Sequence, residues 1–235
     1  MNVAVRGDAP SVEAVIHDTC AVVDPADADV VVAVDEAALA DLAAEAGGPA
    51  APVLAVLDGR GPPGVPPSRI REALEELHGV AGAIPTVASP VCAVAVEGEP
   101  VGTAVLDAAL VPTRPAKISG YAIHAGDRRL DAFRADGVVV ATPLGSGGYA
   151  RAVGGPILGV DTGFVVCPIS PYSTVSDTWV LDPPVAVTVE RDDNEVSLLV
   201  DDAERRPVAP GERVRFDVER RLDLVRVPLD YAADR

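Results

Sequence analysis

The hydrophobic and polar positions change rhythm about a third of the way along the chain. Met1 to Val5 alternate as a short strand, and Val12 to Cys20 fit either a first helix or a second strand. Asp29 to Val34 (DVVVAV) is a near-continuous β-branched run, the signature of a parallel strand buried on both faces. Glu36 to Ala46 (EAALADLAAEA) then reads as a helix, stopped by Gly47-Gly48. Pro52 to Leu57 repeats the buried-strand pattern. A turn-rich stretch, GRGPPGVPPS, leads to the amphipathic helix Arg69 to His78, for which Ser68 is the candidate cap. Strand alternating with helix predicts a parallel α/β layer.

From about Val91 the helical spacing almost vanishes. Short valine-rich runs follow one another: CAVAVEG, ISGYAIHAGDRRLDAFR, GVVVAT, GFVVCPI, VAVTVER, SLLVDD, RVRFDVE and LDLVRVP. These predict a mainly antiparallel, sandwich-like β part. Asp192-Asp193-Asn194 and Gly211 fit hairpin turns. The change falls near Ile84 to Pro90, which predicts an N-terminal α/β domain over residues 1–88 and a β-rich domain over 89–235. No internal repeat or long linker interrupts either part.

Composition narrows the function classes. The length, 235 residues, suffices for a sizeable core, and with only 3% aromatic residues that core is built from Val, Ala and Leu. No run of about 18 apolar residues suggests a membrane span, and the first residues lack a signal-peptide pattern, so a cytoplasmic protein is expected. The net charge is −17, with 36 acidic and 19 basic residues. Lys117 is the one lysine. The acids are scattered, which reads as a solvation device resembling proteins of salt-loving microbes, where salt screens the repulsion. Nothing forms a basic patch, so nucleic acid is not an expected partner. Cys20, Cys92 and Cys167 show no metal-ligand spacing and read as reduced, buried thiols.

The stretch with chemical promise is Asp136 to Pro156, DGVVVATPLGSGGYARAVGGP, which holds six glycines at 137, 145, 147, 148, 154 and 155. A strand at Val138 to Ala141 ends at Thr142-Pro143. In Gly145 to Gly148 the backbone lacks Cβ atoms and can approach a ligand closely. Outward amides there would form an anion nest, and a helix starting near Ser146 would add partial positive charge. Tyr149 offers a ring to stack on and a hydroxyl. Gly145 to Ala150 fits the GxGxxA dinucleotide pattern, but the next strand, GFVVCP, lacks the acidic end that would hold a ribose. A P-loop is ruled out because no Lys follows the glycines. A serine nucleophile at Ser146 lacks the GxSxG elbow, since Leu stands at position 144, and His17, His78 and His124 bear no spacing to it. The remaining alternative is a glycine-rich connection that simply packs closely.

The same stretch resembles the NAD kinase family, whose members carry DG, three apolar residues and then STPTGSTAYSLSAGGP. Asp136-Gly137, Thr142-Pro143, Gly145-Ser146, Tyr149 and Gly154-Gly155-Pro156 stand in that order and spacing. Arg134-Ala135-Asp136-Gly137 resembles the family's R-A/G-D-G, and Cys167 to Ser173 its P-I-C-P-H-S segment. The likeness covers about Ala104 to Val227. It implies the family fold, a Rossmann-like α/β part followed by a β-sandwich, and the family reaction, phosphoryl transfer from ATP or polyphosphate to the 2′-hydroxyl of NAD, aided by Mg²⁺. It implies that Thr142, Gly145, Ser146, Gly147 and Tyr149 line the adenine and ribose pocket. Asp107 stands where the family's Asn-Glu or Asn-Asp pair holds the second ribose. Asp136 would contact a dinucleotide held by a neighbouring subunit of a homodimer or homotetramer.

The phosphoryl-transfer side departs from the family. The glycines and the general-base aspartate of GGDGT are replaced by Asp35-Glu36-Ala37-Ala38-Leu39 after the strand Val30 to Val34. Asp35 is the one catalytic candidate, at a shifted offset, and it also suits a helix N-cap. The late DGQ of the family corresponds to Asp201-Asp202-Ala203. Three readings follow: a divergent NAD kinase, a non-catalytic pseudokinase that senses NAD(H) or NADP(H) or regulates an active relative, or a structural or interaction protein in which the fold persists without ligand.

Overall fold

A computed structural model of the chain describes residues 1–58, 63–114, 117–173, 176–191 and 195–229. These form two compact units: Met1–Ser89 with the chain from Arg221 onward, and Pro90–Arg220. The turn expected at Asp192-Asp193-Asn194 lies outside the described residues.

The first unit is a parallel α/β layer. Its elements are β1 (Asn2–Arg6), α1 (Pro10–Thr19), β2 (Ala21–Val22), β3 (Val30–Ala33), α2 (Glu36–Ala44), β4 (Val53–Ala55) and α3 (Ile70–His78). The ambiguous stretch after Ser11 is thus helical, started by Pro10 in the first turn. The strands run β2-β1-β3-β4 in parallel, with Val3 opposite Val30 and Val31 opposite Val53. Leu224, near the chain's far end, adds a further parallel pairing to Val53. Every residue of β3 is buried, as its unbroken valines foretold. Val3, Val30, Val32 and Leu54 meet Val12 and Ile16 of α1 and Ile70, Leu74 and Leu77 of α3 in one core, joined by Val225, Val227 and Leu229. Helix α2 contacts β3 and buries Leu39 and Leu42.

One cap differs from expectation. Ser68 does not cap α3; it lies in a 3₁₀ turn, Pro67–Arg69, that leads into the helix, and no side chain caps it. Arg69 instead forks onto Glu72 through two hydrogen bonds of 2.8 and 2.7 Å. Those bonds hold the Glu72 carboxyl below its usual range.

The second unit is built from strands. They are β5 (Thr86–Val96), β6 (Glu99–Ala104), β7 (Asp107–Pro112), β8 (Ser119–Ala125), β9 (Arg128–Ala141), β10 (Phe164–Pro171), β11 (Trp179–Leu181), β12 (Val185–Arg191), β13 (Val196–Val200), β14 (Ala203–Val208) and β15 (Arg213–Val225), with one short helix, α4 (Tyr149–Ala152). Pairing in this unit is antiparallel, and β9 is its hinge. Its first half pairs with β8, and its second half lies between β7 and β10. Gly211 sits in the turn expected of it, at φ +91°, but that turn joins β14, which pairs with β13, to β15, which pairs with β12.

Alternation along β7, β9 and β10 gives that sheet two dry faces. Ala108, Leu110, Val138, Val140, Phe164 and Val166 enter the main sandwich core with Tyr121, Val187 and Phe216. Ala109, Val139, Ala141, Val165 and Cys167 face the other way, under Ala150 of α4 and Leu158. Cys92 and Cys167 are buried and Cys20 is half-buried; all three are free thiols, and burial pushes each of them up.

Candidate functional site

The candidate site begins where β9 runs out. Ala141 ends the strand, and the chain turns back over the sheet through Thr142 to Gly148 into α4. Gly145–Gly147 form a 3₁₀ turn, and the helix anticipated near Ser146 is a single turn, Tyr149–Ala152.

The inside of the turn is closed by its own atoms. Thr142 is 2% exposed and Ser146 is fully buried. The Thr142 hydroxyl donates to the Val105 carbonyl at 2.7 Å and accepts from the Gly145 amide at 3.2 Å. The Ser146 hydroxyl donates to the Pro143 carbonyl at 2.6 Å and accepts from the Leu158 amide at 2.9 Å. The amides of Ser146 and Gly148 bond back to the carbonyls of Thr142 and Gly145, both at 2.9 Å. With the amides of Gly145, Ser146 and Gly148 turned inward, the expected row of outward donors for an anion is not what the loop presents. Gly145 is there for contact: a Cβ on it would lie 2.0 Å from the Leu106 carbonyl oxygen. Gly137 and Gly155 are similarly pressed, the first against the Leu110 carbonyl and the second against Cys167 Sγ and the Ala150 carbonyl. The close-packing alternative therefore accounts for these three glycines.

The rim of the turn is different. Gly147 and Gly148 are half-buried, and Tyr149 is 39% exposed. Burial pushes the Tyr149 hydroxyl up, and the charges of Asp107 and Asp136 push it in the same direction. Both carboxylates thus act on one phenol. Asp107 opens β7 opposite Ala141, on the sheet face that α4 covers, and is 7% exposed. Asp136 is half-buried in β9. Asp107 and Asp136 are thus the two charges that act on the half-exposed Tyr149.

A residue that the motif reading left without a role ties the two parts together. Asp201 ends the β13–β14 hairpin, and its carboxylate accepts from the amides of Val105, Leu106 and Asp107 at 2.8, 2.9 and 3.1 Å. Its own amide donates to the Asp107 carbonyl at 2.9 Å. Burial raises the Asp201 carboxyl, and the three amides oppose that rise.

Asp35 belongs to the first unit. Its Oδ1 accepts from the Ala38 amide at 2.6 Å, so it is the N-cap of α2. Gly7, at φ +95°, packs so tightly there that a Cβ would meet Asp35 Oδ2 at 2.9 Å. Among the described residues no group of three His, Cys, Asp or Glu is placed to hold a metal ion, and no helix is long and apolar enough to cross a membrane.

Known proteins match the same part of the chain. A family model described as the ATP-NAD kinase C-terminal domain matches residues 105–221, the span from the start of the Asp201 cradle to β15. The NAD kinase of Methanosarcina barkeri is 41% identical over 93 residues, which is 39% of this chain and 34% of that protein. That of Methanosarcina acetivorans is 34% identical over 122 residues, 51% of this chain and 44% of that protein. The chain belongs to the NAD kinase family. Two solved members share the fold at low identity. An NAD kinase from Archaeoglobus fulgidus in complex with ATP superposes with a TM-score of 0.70 and 20% identity, covering 97% of this chain and 94% of that one. Yeast NADH kinase complexed with NADH gives 0.74 and 15%, covering 99% and 85%. The matched stretch spans less than half the length of the curated relatives, and it contains the turn, its rim and Asp201.

Proposed function

We propose that this member of the NAD kinase family binds an NAD(H)- or NADP(H)-type dinucleotide at the rim formed by Gly147, Tyr149, Asp107 and Asp136. The observation that carries this is the exposed Tyr149 ring beside two carboxylates, above a turn whose interior is already full. A ribose presents hydroxyl donors that carboxylates accept, and a base presents a face for Tyr149. Acidic neighbours and inward amides suit this end of the ligand and not its phosphates. Thr142, Gly145 and Ser146 serve the same pocket by fixing the turn's shape.

The family reaction would then be 2′-phosphorylation of NAD by ATP, giving NADP. A divalent cation would come with the triphosphate, since the described residues offer no cage for one. A second reading, a pseudokinase that senses dinucleotide or regulates an active relative, is favoured by Asp35. One of its oxygens is committed to the cap of α2, and the chain passes from β3 into that helix with no glycine to admit phosphates. A homodimer or homotetramer belongs to the same proposal, and sizing chromatography tests it.

Calorimetry with NAD, NADH, NADP and NADPH in concentrated salt separates the outcomes. Binding heat together with NADP formation from NAD, ATP and Mg²⁺ supports the kinase. Heat without turnover supports the sensor. No heat at millimolar ligand overturns both.

A further inference from the structure

The hairpin between β13 and β14 turns on two residues, closed by the pairing of Val200 with Ala203. Both turn residues are left-handed, Asp201 at φ 44° and Asp202 at φ 61°. Such a turn accepts Gly, Asn or Asp. The turn therefore explains the backbone of Asp201 but not its charge.

The charge is spent elsewhere. Three consecutive amides, Val105 to Asp107, converge on one carboxylate, each a charge-assisted bond. The same peptide segment carries the candidate site on its carbonyls. Val105 receives the Thr142 hydroxyl, Leu106 receives the Thr142 amide at 2.9 Å, and the Leu106 carbonyl is the wall against which Gly145 packs. The segment ends in Asp107, whose charge acts on Tyr149. Asp201 thus holds one side of a strip of backbone, and the turn and rim hang from the other side.

We propose that Asp201 is a positioning residue for the dinucleotide site, setting the place of Asp107 and of the Thr142–Tyr149 turn through the amides of residues 105–107. This rests on the dinucleotide reading above. The neighbouring Asp202 is exposed and accepts none of the three amides, which makes it the control for the cradle's hydrogen bonds.

The test is Asp201→Asn beside Asp202→Asn, each in the full chain. An amide keeps the shape but offers one good acceptor where the carboxylate offers two. NADH affinity is read by calorimetry on protein shown to be folded by circular dichroism, and Tyr149 is titrated through its ring carbon by NMR. Asp201→Asn should bind NADH about tenfold more weakly or worse, and its Tyr149 should ionise at lower pH because Asp107 has moved. Asp202→Asn should match the unaltered protein in both. A purely structural Asp201 would lower the unfolding midpoint and leave Tyr149 where it was; that result, or unchanged affinity, overturns the proposal. If Asp201→Asn does not fold, hydrogen exchange in the unaltered protein decides. Slower exchange at Val105, Leu106 and Asp107 on adding NADH supports it, and no change refutes it. Failure of the unaltered protein to bind NADH removes the underlying reading and this one together, and is seen before any substitution is made.

Discussion

Within eight residues, Thr142 to Tyr149, the glycine-rich turn changes from wall to surface. Thr142 and Ser146 spend their hydroxyls on the chain itself, and Gly145 lies against a carbonyl. Gly147 is half-buried, and Tyr149 is exposed with the charges of Asp107 and Asp136 acting on it. A motif therefore mixes two kinds of position. Some residues are required so that the backbone can reach its shape, and others are left to meet a ligand. Substitutions in the first kind should cost stability, and those in the second should cost affinity.

The sharpest challenge to that division is Gly145→Ala. Its methyl would sit 2.0 Å from the Leu106 oxygen, which only backbone movement relieves. We expect a loss of about 3 kcal/mol or more in denaturant unfolding. Gly154→Ala, at φ +97° with open space around it, should cost only about 1 kcal/mol. Equal losses would erase the distinction drawn at Gly145. Next comes Ser146→Ala, which strands the buried Leu158 amide and Pro143 carbonyl; about 1–3 kcal/mol should disappear from the same measurement. Tyr149→Ala reverses the pattern. Unfolding should shift little, while NADH affinity read by calorimetry drops about tenfold, the worth of one stacked ring. An unfolding loss as large as that of Ser146→Ala would place Tyr149 with the wall.

The gentlest test is alkaline titration. Burial and the two carboxylates raise the Tyr149 hydroxyl, so the folded protein holds this proton more tightly than the unfolded chain does. Its contribution to stability is then fully present below the ordinary tyrosine range and is lost as pH rises through the raised value. Asp107→Asn should bring the midpoint down. An unmoved midpoint would mean that Asp107 and Tyr149 are not neighbours.

Periodicity made most of the scaffold legible. Unbroken valines marked β3, alternation marked the strands of the second unit, and DG…TP…GS…Y…GGP marked the turn with its family. What escaped were partners distant in sequence. Thr142 meets Val105 across 37 residues, and nothing local announces that its hydroxyl is occupied. Asp201 and Asp202 sit at the end of the run SLLVDD and read as strand, because two acids are a weaker turn signal than Asn-Gly. The cap at Asp35 was readable, since it needs only the amide three residues on. The alternation of Leu222 with Leu224, and of Val225 with Val227, says that a face is buried, but not in which unit.

That last point has a consequence for synthesis. Val225, Val227 and Leu229 complete the core of the first unit, at 0%, 4% and 8% exposure. Leu224 extends its sheet beside β4. During translation the first ninety residues would leave the ribosome with an apolar seam still open, and the whole of the second unit, Pro90–Arg220, would emerge before the chain that seals it. The half that is made first is therefore finished last, and until then its exposed valines are what a chaperone would find.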